Sequence, residues 1–468
     1  MPFARILKSS ALMGGAQAFS VGIGFLRAKA VALILGASGV GLIGILNNFN
    51  NSVAALAGWG LSTAGVRNIS NADEKDRGDK IASVRKFGGL LSQIALVLAI
   101  LLFWPVGLIT FGTAQYTLEM GIASLAIPCL VASMGWTAIL QAAGDIRTLA
   151  KIQIMGALTA LVAGVPAIYF LGTLGVAVSI VMASAVPSYA LWRAAKSLSP
   201  PISAGKEDSG NLRELVQLGA ALVFLGWAGQ IAAYVVRLYI VRSVGLEAAG
   251  YYQAAFAISG SLPGFVFAAM GADFFPRIAS AKTEEEASYL VEKQIQAGLL
   301  LGTPFIVILL SLGRQCIHLL YSSSFDPAIP LLSWMTWGVF IRLISWPLGF
   351  WLLARRSPKT VIWVECFGNG LTVLLPLALV PSFGLVGAAI AFFAASLVHL
   401  IAVIGIHRYT TGALLGRSSF IWAASASAAL IIAQVWATIN SNTYAALIPA
   451  VLVGIYCAWK YRQIIQST

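Results

Sequence analysis

Five basic side chains interrupt otherwise apolar stretches of this sequence: Arg27 and Lys29, Arg237 and Arg242, and Arg342. A single acid, Glu365, lies in a comparable setting, so these stretches carry an excess of four positive charges. An Arg or Lys at the centre of a bilayer costs about 2.5 to 3.5 kcal/mol on insertion scales, so such groups are expected to face water, a partner or a ligand. One acid cannot neutralise five bases. Guanidinium also matches a phosphate well, gripping it through two parallel hydrogen bonds. The chemistry this pattern suits is non-covalent binding of a mobile anion.

Other polar residues fall near these bases. At about 100° per residue, Gln17, Ser20, Gly24 and Arg27 share an arc of roughly 80°, and Gln230 lies within about 20° of Arg237. Lys29 points about 200° away from Arg27, so the two cannot face one cavity centre. Two readings stand for Lys29 and Arg242: cavity bases, or bases snorkelling to the outer headgroups. Asn47, Asn48, Asn50 and Asn51 share an arc of about 160°, suited either to sugar hydroxyls or to bonds between helices. Glu365 sits roughly 9 Å from the cytoplasmic end of its stretch, and His399 lies at a similar depth. Both are candidates for coupling transport to an ion, Glu365 as a carboxylate among apolar neighbours and His399 as the side chain that ordinarily titrates near neutrality. The alternatives are a static pair of Glu365 with an Arg and a packed His399.

The elements that hold these residues must be membrane spans. The 468 residues are 59% hydrophobic and only 10% charged, with a mean hydropathy of +0.86, which excludes a soluble globular protein. A spanning helix needs about 20 apolar residues, and fourteen stretches qualify: 9–35, 39–64, 87–111, 117–142, 149–171, 174–195, 214–243, 247–272, 291–312, 328–353, 359–380, 384–406, 418–437 and 443–460. The first is too long for a signal-peptide core and is expected to remain as an uncleaved helix. With both termini in the cytoplasm, 24 of the 30 Lys and Arg fall in cytoplasmic segments, and Arg314 stands alone in the outer loops. That asymmetry obeys the positive-inside rule. The formal charge of +13 is therefore mostly topology and does not mark a nucleic-acid surface.

A repeat divides the first twelve spans. Gly36, Gly39 and Gly41 overlie Gly245, Ala248 and Gly250 at an offset of 209, and Gly172 and Gly175 overlie Gly384 and Gly387 at 212. A near-constant offset argues for a six-plus-six duplication. The expected organisation is an all-α polytopic membrane protein: an N-terminal lobe over 1–198, a cytoplasmic linker over 199–213, and a C-terminal lobe over 214–408. Two additional helices and a tail follow over 409–468. An even number of spans per half places the pseudo-twofold along the membrane normal.

Several motifs fail on context. Gly39, Gly41 and Gly44 satisfy GxGxxG but open a span with no preceding soluble strand. The sequence has no Walker A, HExxH or GxSxG pattern, and Cys129, Cys316, Cys366 and Cys457 are scattered singly. No cofactor, metal site or disulfide framework is expected. Gly260 to Gly264 forms a GxxxG, read as helix packing or a kink at Pro263.

Beyond these patterns, the sequence resembles Wzx-type O-antigen flippases of the multidrug/oligosaccharidyl-lipid/polysaccharide (MOP) superfamily. The resemblance is carried by Lys29 and the stretch LILGASGVGLIGILNNFNNSVAALAGWGLSTAGVRNIS, by AGYYQAAFAIS (Ala249 to Ser259) with DFFPRIASA (Asp273 to Ala281), and by LLYSSSFDPAIPLLSWM (Leu319 to Met335) with VIWVECFGNG (Val361 to Gly370). It implies alternating access by two six-helix lobes that carries an undecaprenyl-pyrophosphate-linked oligosaccharide across a bacterial inner membrane. Bilayer lipids are expected partners; whether H+, Na+ or no ion drives transport, and whether polysaccharide polymerase machinery takes part, stays open. Lys29 and Glu365 match positions where similar proteins carry a base and an acid, and Gln253 matches a position in the eighth helix. The two extra C-terminal helices depart from that twelve-helix family and resemble the fourteen-helix lipid II flippases.

Two other classes compete. A cation antiporter of the same superfamily calls for an acidic cavity, against the positive excess found here. A membrane-embedded polymerase or glycosyltransferase calls for a large outer loop or a catalytic acid there, whereas residues 313–327 offer only Arg314, His318 and Asp326.

Overall fold

The computed structural model describes residues 2–73, 76–198, 227–412, 415–439 and 443–467, and no strand occurs among them. Helices are the expected solution for a chain this apolar, because lipid offers no partner to backbone N–H and C=O groups. In order they are α1 (Pro2–Ala57), α2 (Leu61–Ser70), α3 (Arg77–Phe111), α4 (Thr117–Ser124), α5 (Ala126–Ala142), α6 (Ile146–Val162), α7 (Gly164–Leu171) and α8 (Thr173–Leu198). A helix described over 227–243 is α9. It is followed by α10 (Leu246–Ser280), α11 (Glu284–Ser311), α12 (Gly313–Leu320), α13 (Ala328–Arg355), α14 (Pro358–Phe383), α15 (Leu385–Thr411), α16 (Arg417–Ile439) and α17 (Thr443–Ser467).

Ten helices among the described residues are long and apolar enough to cross a membrane. The first of these, Leu12–Ala57, runs 46 residues and covers most of two expected spans, 9–35 and 39–64, the second of which ends in α2. A single non-helical residue lies between them: Gly36, at φ 66 and ψ −160, a conformation essentially reserved for glycine. The expected spans at 117–142 and 149–171 are each two helices, divided at Leu125 and Ala163. The C-terminal pair is present as α16 and α17, both packed on α11.

The chain divides into two compact units, Met1–Gly250 and Tyr251–Thr468. In the first, α1 packs on α6, α3 on α5, and α5, α6 and α7 on α8. Helix α9 groups here too. The Tyr234 hydroxyl shares a 2.6 Å hydrogen bond with Thr110, its ring lies 6.1 Å from Phe49, and Ser52 Oγ donates to the Gln230 carbonyl at 3.2 Å. In the second unit, α13 and α14 pack on α15, and α11 packs on α13. The linker expected at 199–213 lies outside the described residues.

The repeat glycines at both places take positive φ. Gly36 and Gly245 have φ of 66 and 116, while Gly172 and Gly384 adopt closely similar φ/ψ of 59/−128 and 58/−148. A Cβ on Gly175 would overlap the Ala167 carbonyl, and one on Gly387 would overlap that of Leu379. Ala167 and Leu379 are themselves 212 residues apart, so α7–α8 and α14–α15 turn in the same way.

Candidate substrate-binding residues

Helix α1 supplies the first group. Arg27, half-buried, donates from Nη2 to Ser179 Oγ of α8 at 2.9 Å. Its Nε is buried with no hydrogen-bond partner, as is Ser20 Oγ two turns back on the same face of the helix. Gln17 is exposed, and its side-chain oxygen accepts a hydrogen bond from the Gln153 amide of α6. Gln153 is the repeat counterpart of Glu365. Lys29 is half-buried.

The asparagines of α1 divide by role. Asn50 is buried and donates to the Ala123 carbonyl of α4 at 2.9 Å, tying two helices together. Asn48 donates to the Gly44 carbonyl of its own helix at 2.8 Å. Asn47 is half-buried, and Asn51 is exposed.

On α9, Gln230 is exposed while Arg237 is 4% exposed and donates to the Ala233 carbonyl one turn back at 3.0 Å. Arg242 is exposed, and its guanidinium lies against Gly112, the left-handed C-cap of α3. A cation there meets the negative end of the α3 dipole, a favourable placement that requires no ligand.

The second unit gathers the remaining residues. Arg342 of α13 has an exposed side chain whose guanidinium carbon stands 4.5 Å from the centre of the Phe392 ring of α15. The negative ring face holds the cation there. Phe392 meets Phe256 edge-on at 6.2 Å, and Phe256 stacks on Tyr252 at 6.2 Å, so the base rests on an aromatic column. Glu365 of α14, His399 of α15 and Tyr252 of α10 lie within electrostatic range of Arg342. His399 packs against Gly368, where an added Cβ would meet its ring at 3.1 Å. Gln253 is half-buried on α10.

The structure thus brings Arg342, Glu365 and His399 together and places Arg27 with Ser179 and Gln17 with Gln153. Sequence reasoning missed Ser179, Tyr252 and Phe392. A Ser, a Tyr and a Phe in apolar helices carry no signal until the neighbouring helix is known.

The pattern of the family described as polysaccharide biosynthesis protein matches residues 6–282. The chain belongs to that family. The lipid III flippase of Escherichia coli (strain K12) is 21% identical to this polysaccharide biosynthesis protein over 423 residues, which cover 86% of this chain and 98% of the flippase. Among solved structures, the lipid II flippase MurJ in an inward closed conformation matches with a TM-score of 0.76 at 16% identity, over 97% of this chain and 100% of its own. An inward-facing multidrug resistance MATE transporter of the MOP superfamily matches with a TM-score of 0.63 at 16% identity, over 85% of this chain and 94% of its own. The difference in coverage is about the length of α16 and α17 together. These likenesses establish the MOP fold for this family member, a multi-pass membrane protein; the relatives named above are flippases and a transporter.

Proposed function

We propose that this protein is a flippase for an undecaprenyl-pyrophosphate-linked oligosaccharide, an O-antigen or related surface-polysaccharide repeat unit. It carries its substrate from the cytoplasmic to the periplasmic leaflet of a bacterial inner membrane by alternating access of lobes 1–198 and 214–408, with both termini in the cytoplasm. The observation that carries this reading is the excess of intramembrane bases in a member of a polysaccharide biosynthesis family. A pyrophosphate brings about two negative charges near neutral pH, and a guanidinium group suits it. Arg342 is its principal contact in the second unit, and Arg27, taken by itself, is the candidate contact in the first. Lys29, Arg237, Arg242, Gln230, Gln253 and the asparagines of α1 have supporting parts, and Glu365 and His399 couple transport to H+ or Na+. A polysaccharide polymerase is the expected downstream partner.

The test is reconstitution in liposomes with an undecaprenyl-pyrophosphate oligosaccharide, following arrival of the sugar on the opposite face, beside Arg342→Gln. Translocation that needs Arg342 supports the reading. Folded protein that moves no such lipid refutes it, and cation efflux assays then examine the antiporter reading that the likeness to MATE transporters supports.

A further inference from the structure

Arg342 begins a stripe of α13. At about 100° per residue, Trp346, Gly349 and Phe350 follow it within an arc of roughly 100°, descending toward the cytoplasmic end over about 12 Å. Trp346 and Phe350 are half-buried, with ring centres 4.2 Å apart. From α10, Phe267 approaches Trp346 at 5.8 Å, and Phe274 closes the group from below at 6.5 Å from both. Space lies open beside these rings: a Cβ on Gly349, or on Gly260 or Gly264 one to two turns above Phe267, would meet nothing within 4 Å. Among the described residues, then, none lies within 4 Å of a Cβ built on either glycine of the α10 GxxxG. Arg342 shares this face, and a base within a membrane span is expected to face water, a partner or a ligand in place of lipid.

One donor is left over. Trp337 and Trp351 of the same helix give their indole N–H groups to Gln434 and Glu284, at 2.6 and 3.3 Å. Trp346 has ring contacts only among the described residues. An indole N–H inside a protein ordinarily finds an acceptor.

We propose that Trp346, with Phe350 and Phe267, forms a saccharide subsite that binds the first sugar rings beyond a phosphate held at Arg342. This inference rests on the transport reading above. An aromatic face is electron-rich, so it attracts the polarised C–H face of a pyranose, and the Trp346 N–H supplies a donor for a ring hydroxyl. The spacing fits: Trp346 lies one turn and Phe350 two turns below Arg342, about 6 and 12 Å, the reach of a first and second sugar hanging from a pyrophosphate. The open glycines leave room for them. A lipid tail would not need the hydrogen-bond donor and would not start at an arginine.

The test measures binding of two probes, undecaprenyl pyrophosphate bare or carrying N-acetylglucosamine, to the full-length protein in nanodiscs. Wild type is expected to bind the glycosylated probe about tenfold more tightly. Trp346→Ala should abolish that preference with bare-lipid affinity unchanged, and Trp346→Phe, which keeps a ring but loses the N–H, should retain only part of it. Arg342→Gln should weaken both probes alike. A wild type that binds both probes equally, or a Trp346→Ala that keeps the preference, overturns the sugar subsite while leaving the anion site intact. A folded wild type that binds neither probe overturns the subsite together with the transport reading.

Discussion

Gly41 and Gly250 hold α1 and the start of α10 backbone to backbone in a reciprocal contact. A Cβ on Gly41 would overlap the Leu246 carbonyl, and a Cβ on Gly250 would overlap the Ala37 carbonyl. Gly41 and Gly250 are 209 residues apart, as are Ala37 and Leu246, so each residue meets the neighbour of its own repeat mate. Overpacking a tight contact typically costs about 1–3 kcal/mol, and a backbone carbonyl yields less readily than a side chain. Gly250→Val and Gly41→Val should each lower the midpoint of thermal unfolding in detergent. Gly405→Ala, where a Cβ meets open space, should be neutral. A Gly250→Val protein melting with wild type would refute the contact.

Gly36 and Gly384 give a second, paired prediction. Neither has a neighbour within 4 Å of a built Cβ, so any cost of alanine arises from backbone conformation alone, about 1–3 kcal/mol. Gly36→Ala and Gly384→Ala should therefore destabilise by similar amounts, with no new clash visible in a structure of either variant. Unequal unfolding midpoints would show that the two turns are not equivalent.

Arg27 and Ser179 separate binding from positioning. Removing the Ser179 hydroxyl takes away one hydrogen-bond partner of a guanidinium that already has a buried, unmatched Nε, whereas removing the guanidinium takes away the charge. Ser179→Ala should slow translocation less than about threefold and Arg27→Gln more than about tenfold. The reverse order in the liposome assay would make Ser179 the contact and Arg27 its support.

Glu365 is the one acid away from the ends of the predicted spans, Glu119, Glu247 and Glu292 lying at theirs; Arg342 of α13 is within electrostatic range of it, and His399 of α15 packs against Gly368, one turn on along α14. If it exchanges the coupling proton, Glu365→Gln should flatten the dependence of translocation on pH while Glu365→Asp retains it. A pH profile that survives Glu365→Gln unchanged would leave His399 to be tested next.

Hydropathy and charge made the spans legible because both follow from burial in lipid, which acts on every residue of a helix alike. Gly36 was legible as a repeat mark, but its effect was not: a glycine between two apolar runs suits a loop as well as a kink in one continuous helix. The interruptions at Leu125 and Ala163 are marked only by Pro128 and Pro166, each three residues on in the first turn of α5 and α7, and a proline in an apolar run suits a kink in one span as well as a break between two helices. Arg342 and Glu365 stood out because charges in an apolar run are costly. Phe392 beneath the guanidinium and the free indole of Trp346 did not, because each acquires meaning only from the helix packed opposite.

The one-residue joint in α1 leaves no slack between its two arms. Where α5 and α6 are joined through residues 143–145, one helix can shift while the other stays. Within α1, the arm that carries Arg27 and the arm that carries the asparagines can change their mutual angle only about the φ and ψ of Gly36. Their relative displacement is thereby confined to rotation at one residue, as at the pin of a hinge.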